Sequence, residues 1–217
     1  LFKNEDGIAE SMIQRVHRQI VKTIPNANII IATGKKQVGL IREQLGDEVK
    51  ICVEPDRRDT FPAIVLATAF MHYELEISDS ESAIICPVDP YVDDSYFESL
   101  KELETLSCQN IAKILLLGIH PTYPSEKYGY IIPENKSYIS PVEAFKEKPN
   151  AETAKNYLTK HALWNAGVFA CSIKYLMDIA RGVLLFSDYR DLYQKYAQLP
   201  KISFDYAVVE KEKSMYV

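Results

Sequence analysis

Several short segments carry side chains that could do chemistry on a phosphorylated, hydroxyl-rich ligand. In Glu54-Pro55-Asp56-Arg57-Arg58-Asp59-Thr60 two guanidinium groups stand just before an apolar run. If that run is a helix, its N-terminal amides and dipole favour an anion there, and Arg57 and Arg58 could neutralise a phosphate. The same residues also suit a solvated charged loop with a helix cap. Pro87-Val88-Asp89-Pro90 follows a β-branched run, which leaves Asp89 where a carboxylate commonly holds a divalent cation bound to phosphates. Asp93 and Asp94 read instead as helix caps, and their spacing lacks the alternating ligands and central glycine of a calcium loop.

Lys127-Tyr128-Gly129-Tyr130 sets a glycine between two aromatics, which lets a ligand approach the backbone, although taken alone the segment reads better as ordinary aromatic packing on an edge strand. Phe145-Lys146-Glu147-Lys148-Pro149 places a carboxylate and an ammonium on adjacent residues. On a continuing strand they would point to opposite faces; a turn at Pro149 would let both converge. Trp164-Asn165-Ala166-Gly167-Val168-Phe169 has an amide that could read a sugar hydroxyl or satisfy a buried turn. His17, His72, His120 and His161 are scattered without ligand spacing and are assigned no catalytic role.

Hydrophobic period supplies the elements that must position these groups. Ile8, Met12, Ile13, Val16, Ile20 and Ile24 fall on one face of a helix over 8–24. β-Branched runs at 28–33 and 49–53 read as buried strands with a short helix between them. The apolar stretch 62–75 reads as a helix buried on two faces, with Pro62 in its first turn after a cap at Thr60. Strands follow at 82–88 and 112–119, separated by a helix over 94–106 capped by Asp94 or Ser95. Alternating strand and helix with continuous apolar strands indicates a parallel sheet covered on both faces. After Pro121 the rhythm changes to strands at 128–132, 142–146 and 163–172 with one clear helix, 151–160, which suggests an antiparallel or mixed extension of the same sheet. Helices over 188–198 and 203–210 close the chain. In such sheets ligands sit outside the carboxyl ends of the strands, where the segments above fall.

With 217 residues the chain suits one domain, and 47% apolar residues give it a sizeable core. The 25 Lys and Arg against 30 Asp and Glu leave a net charge of −5, so no basic field exists for a nucleic acid backbone. No apolar stretch approaches the roughly 20 residues of a membrane span. Cys52, Cys86, Cys108 and Cys171 lack the spacing of a zinc or redox motif and read as small apolar residues in a reducing cytoplasm. Neither a GxGxxG nor a GxxxxGK[ST] pattern is present. A start at Leu1, without methionine, suggests a sequence that is not a complete gene product.

EPDRRDTFPAI, PVDP, EKYGYI, FKEKP, WNAGVF and SFDYAVVEK, in this order, resemble the bacterial sugar-phosphate nucleotidyltransferases, above all the mannose-1-phosphate guanylyltransferases. The resemblance implies a Rossmann-like mixed, mostly parallel sheet between helices, and 1–217 as a single domain that lacks the family's N-terminal Gly-rich loop and C-terminal end. It implies attack of a sugar 1-phosphate, mannose 1-phosphate, on the α-phosphate of a nucleoside triphosphate, GTP. GDP-mannose and pyrophosphate would result. Mg2+ is the implied cofactor, held by Asp89. By the same resemblance Lys148 binds the sugar phosphate, Gly129, Tyr130, Glu147, Asn165 and Gly167 contact the sugar, and Arg57, Arg58, Asp59 and Thr60 line the nucleotide side. No membrane or nucleic acid partner is implied, and a homodimer is allowed. The chain departs from the family at Asp59, where Asn is usual, and at Pro90, where His is usual.

The nucleophile of such a reaction is already an anionic phosphate oxygen, so positioning and charge neutralisation suffice and no general base is needed. Two rivals remain from the sequence: a glycosyltransferase that consumes nucleotide sugars, which would ordinarily use a tighter acidic pair than Asp89 and Asp93, and a non-catalytic regulator that binds nucleotide sugars.

Overall fold

The structure, a computed structural model, describes residues 2–3 and 6–217. β1 (Phe2–Lys3) and β2 (Ala9–Glu10) form a small antiparallel pair. The first helix, α1 (Met12–Thr23), therefore starts later than the apolar period suggests. Ser11 fixes the start through a capping box: its Oγ accepts from the Gln14 N–H at 3.3 Å and the Gln14 side chain accepts from the Ser11 N–H at 2.9 Å.

The chain continues through β3 (Ile30–Gly34), α2 (Val38–Leu45), β4 (Lys50–Glu54), α3 (Thr60–Ala69), β5 (Ser82–Ile85), α4 (Asp94–Cys108) and β6 (Ile114–Ile119). The cap of α3 is Asp59, not Thr60, and a π-helical turn over Phe70–Glu74 extends it. The cap of α4 is Asp93, which accepts from the Ser95 N–H at 3.0 Å. Then come β7 (Tyr130–Pro133), β8 (Val142–Lys146), α5 (Ala151–Thr159), β9 (Leu163–Ser172), α6 (Ile173–Val183), α7 (Tyr189–Lys195), α8 (Phe204–Ala207) and β10 (Met215–Tyr216). Helix α6, absent from the sequence expectation, follows β9 without a loop because Ser172 both ends the strand and caps the helix.

The main sheet has the order β10-β6-β9-β7-β8, with β5 also paired to β9; β3 and β4 form a separate parallel pair. The rhythm of the sequence places the antiparallel strands at an extension, whereas β9 lies between β5 and β6 and runs against both. Those two strands consequently share a direction without pairing with each other. Strand β9 is long enough to serve two neighbours on one side: Ile85 pairs with Phe169, and Tyr130 with Trp164.

Side chains alternate across the sheet, and both faces are covered. Ile114, Leu116, Phe169 and Cys171 enter a core that includes Phe61, Leu66, Leu176, Leu192 and Phe204 from α3, α6, α7 and α8. Leu115, Val168 and Ala170 enter the opposite core with Val16 of α1 and Phe97, Leu100 and Leu103 of α4. A third cluster, Tyr130, Ile132, Ala154 and Ala162, sits beneath α5. Of the cysteines, all free, Cys52 and Cys171 are buried as apolar residues would be, while Cys108 is exposed at the end of α4.

Candidate functional site

Strand register decides which loops meet. Because β8 and β9 both run against β7, with Tyr130 opposite both Lys146 and Trp164, the carboxyl end of β8, the amino end of β7 and the stretch of β9 from Asn165 onward meet at one edge of the sheet. β5 pairs with β9 only as far as Ile85 opposite Phe169, so its carboxyl end meets the same stretch of β9 from the other direction. Thus Glu147 and Lys148 after β8, Gly129 before β7, Asn165 and Gly167 in β9, and the Pro87–Pro90 loop after β5 gather at the edge that β9 leaves open between β7 and β5. A Cβ on Gly167 would lie 3.9 Å from Pro87 Cγ, so the last two are neighbours.

Gly129 is required by close approach. A Cβ there would lie 2.5 Å from Glu147 Oε2 and 3.0 Å from Phe145 Cζ, and the Gly129 carbonyl accepts from the Asn165 N–H at 2.8 Å. Glu147 is buried, and its N–H donates to Glu210 Oε1 at 2.9 Å. Lys146 donates to the same Glu210 oxygen at 3.1 Å, and this pairing holds the Lys146 ammonium above its ordinary range. Lys148 leaves the strand with φ +44°, a backbone region sparsely populated outside glycine, and folds its ammonium back to Glu147 Oε1 at 2.6 Å. The turn thereby brings the two opposite charges together, and the Glu147 hydrogen bond is the main cause of the raised Lys148 pKa.

Asn165 donates through Nδ2 to Asp205 Oδ1 at 2.7 Å, and its Oδ1 accepts from the Gly167 N–H at 3.0 Å. Gly167 makes that turn at φ +71°. Burial, then the nearby Glu147 charge, pushes the Asp205 carboxyl up to about 6. Asp205 and Glu210 are absent from the sequence expectation. Both lie in the SFDYAVVEK stretch, but nothing in that local helical pattern reveals which strand α8 covers.

Tyr130 does not join this group. Its side chain points to the opposite face, is fully buried, and its hydroxyl accepts from the Ser125 N–H at 2.8 Å. It belongs to the cluster under α5, as strand alternation requires once Gly129 faces the site.

The loop after β4 is tied to the segment before α8. Arg58 donates through Nε and one terminal nitrogen to the Leu199 carbonyl at 3.1 and 2.9 Å. Thr60 Oγ1 accepts from the Phe204 N–H at 2.9 Å, and Glu54 accepts from the Tyr196 hydroxyl at 2.8 Å. Asp59, at φ +71°, caps α3 by accepting from the Thr60 N–H. Arg57 is exposed. Of the expected nucleotide-side residues, Arg58, Asp59 and Thr60 therefore hold structure, and Arg57 is the guanidinium without such a hydrogen bond.

Asp89 is an exposed carboxylate in the loop after β5. Its charge adds to burial in pushing the neighbouring Cys86 thiol up to about 11. Among the described residues no three His, Cys, Asp or Glu side chains gather closely enough to cage a metal ion. Mg2+ seldom needs a cage; it keeps several waters and takes one or two carboxylates plus substrate phosphates. A lone, accessible Asp89 fits a cation that arrives with a triphosphate.

Residues 6–203 match the family model described as nucleotidyl transferase. The chain belongs to this family. This chain is 28% identical over 199 residues to the mannose-1-phosphate guanylyltransferase of Escherichia coli, a match that covers 77% of this chain and 41% of that protein. It is 28% identical to the xanthan biosynthesis protein XanB of Xanthomonas campestris, over 93% of this chain and 47% of that one. Its fold superimposes with a TM-score of 0.81 and 27% identity on a Thermus thermophilus protein described as a mannose-1-phosphate geranyltransferase, covering 98% of this chain and 64% of the other. A Helicobacter pylori structure described as mannose-6-phosphate isomerase gives a TM-score of 0.76 at 18% identity, a likeness of fold, with 95% of this chain and 87% of that one covered. The chain spans less than half the length of these two curated relatives.

Proposed function

We propose that this chain carries the sugar-phosphate side of a site that transfers a nucleotidyl group from GTP to mannose 1-phosphate, giving GDP-mannose and pyrophosphate. The observation that carries the reading is the convergence of Glu147, Lys148, Asn165 and the Gly129 backbone at one sheet edge, beside the Asp89 loop. An ammonium beside acceptor oxygens and a fixed carboxamide suits a ligand with a dianionic end and several hydroxyls. The names of the relatives point to the same substrates.

In this reading the phosphate of the sugar draws Lys148 away from Glu147, which frees the Glu147 carboxylate to accept from sugar hydroxyls. Lys148 holds the nucleophilic phosphate oxygen in line with the α-phosphate, and Asp89 would hold Mg2+, which would supply charge neutralisation for the triphosphate. Catalysis then rests on orientation and charge, with no covalent intermediate on the protein. A cytoplasmic location accompanies the reading, and sedimentation would distinguish monomer from homodimer. Incubation with GTP, MgCl2 and mannose 1-phosphate should release pyrophosphate and form GDP-mannose. Hydrolysis or sugar transfer from supplied GDP-mannose, without pyrophosphate release in the forward assay, would refute the reading.

A further inference from the structure

A carboxamide can present itself in two orientations that exchange donor and acceptor, and only its partners choose between them. Asn165 has two partners of opposite demand. The Gly167 N–H requires an acceptor and meets Oδ1 at 3.0 Å; the Asp205 carboxylate requires a donor and meets Nδ2 at 2.7 Å. A flipped amide would set N–H against N–H and oxygen against oxygen. Among the described residues one Nδ2 proton and one Oδ1 lone pair have no hydrogen bond of their own, and Asn165 lies at the edge shared with Gly129 and Lys148.

Asp205 is an unfavourable residue to place there for stability alone. It is partly buried beside the Glu147 carboxylate, the Lys148 ammonium that acts on it is already paired with Glu147, and among the described residues it makes no ion pair of its own. A neutral acceptor would hold Asn165 with less electrostatic penalty. Its surroundings come from three elements: Glu147 and Lys148 after β8, Asn165 in β9, and its own helix α8, which is pinned through the Phe204 N–H to Thr60. A carboxylate kept in such surroundings has the character of a group that serves a site.

We propose that Asp205 is a positioning residue: it fixes the Asn165 carboxamide so that the remaining N–H and lone pair meet hydroxyls of a sugar 1-phosphate. The inference rests on the sugar-phosphate reading of the site.

Titration calorimetry of the protein with mannose 1-phosphate, and separately with GTP and MgCl2, tests it. Asp205→Ala should weaken mannose 1-phosphate binding by about tenfold or more and GTP binding by no more than about twofold. Asp205→Asn retains an oxygen that can accept from Nδ2 and a similar shape, and should stay within about threefold of wild type for both ligands. The Asn165 side-chain amide resonances give a ligand-free check: one proton should be protected from exchange in wild type and in Asp205→Asn and lose that protection in Asp205→Ala. Unchanged sugar-phosphate affinity in Asp205→Ala, or equal weakening in the two variants, would overturn the assignment. If wild type binds no mannose 1-phosphate, the functional reading and the substrate role both fall. The amide resonances then still decide the hold on Asn165, whose persistence in Asp205→Ala would overturn that as well.

Discussion

At the scale of residues the site is a set of like and unlike charges held at short range. Lys148 is partnered by Glu147, so its replacement acts twice: the cation proposed for phosphate is lost and the buried Glu147 charge loses its partner. Lys148→Ala is expected to raise the KM for sugar phosphate by about ten- to a hundredfold, a loss of about 1.4–2.7 kcal/mol, while changing the KM for GTP much less. Steady-state kinetics with each substrate varied separately would show this; an equal rise in both would move Lys148 to the nucleotide side. Asp205 predicts a pH effect on stability. Its carboxyl is raised from 3.8 to about 6 in the fold, so the native state binds this proton more tightly than the unfolded chain does. The sign is therefore a loss of stability as pH rises from about 4 to about 6, with a plateau above. Asp205→Asn removes that loss, on the order of 1–3 kcal/mol. Urea unfolding should show the variant more stable than wild type at pH 7.5, with the difference collapsing near pH 4.

At the scale of elements, α8 reaches the site through a four-residue helix whose placement depends on distant anchors. Arg58 grips the Leu199 carbonyl with two nitrogens, and Thr60 accepts from the Phe204 N–H, so the loop after β4 sets the approach of Asp205. Arg58→Ala should cost about 1–2 kcal/mol of stability, because the carbonyl loses charge-assisted donors in a partly buried place. It should also weaken sugar-phosphate binding by a few fold without any direct contact. Lysine has a single ammonium in place of the fork, so Arg58→Lys should recover little of either effect. Urea midpoints and sugar-phosphate titrations of the two variants check this, and full recovery by lysine would argue against the fork.

At the scale of the whole molecule, insertion of β9 between β5 and β6 joins both faces of the main sheet. Its alternating residues Phe169 and Cys171 on one face, Val168 and Ala170 on the other, enter two different cores. The cysteines report this packing. Burial pushes the Cys52 and Cys171 thiols up to about 12 and Cys86 up to about 11, whereas Cys108 is exposed. The native protein should therefore expose one fast-reacting thiol to a disulfide reagent at pH 8, and all four only after denaturation. A reducing agent should leave the thermal midpoint unchanged, since no disulfide contributes. A fast thiol at Cys171 in the native state would contradict the packing described for β9.

What the sequence by itself determined was local. Periodicity placed the strands at 142–146 and 163–172 on their observed bounds, because β-branched and aromatic runs between turn residues leave little choice of backbone. The resemblance of FKEKP and WNAGVF also singled out Glu147, Lys148 and Asn165, and the structure brings them to one edge. Ser172 hid α6 by ending one element and beginning the next, so no break in pattern marked the boundary. The order of the strands, and with it the company each side chain keeps, was decided only by tertiary structure. Strand direction and neighbour choice depend on which apolar faces meet across the whole chain, and a period of two is the same for a strand paired on either side. The same limit concealed Asp205 and misplaced Tyr130. An aspartate on a short helix acquires its role from the strand that the helix covers, and a tyrosine beside a site glycine is turned into the core by alternation once the facing helix α5 is in place.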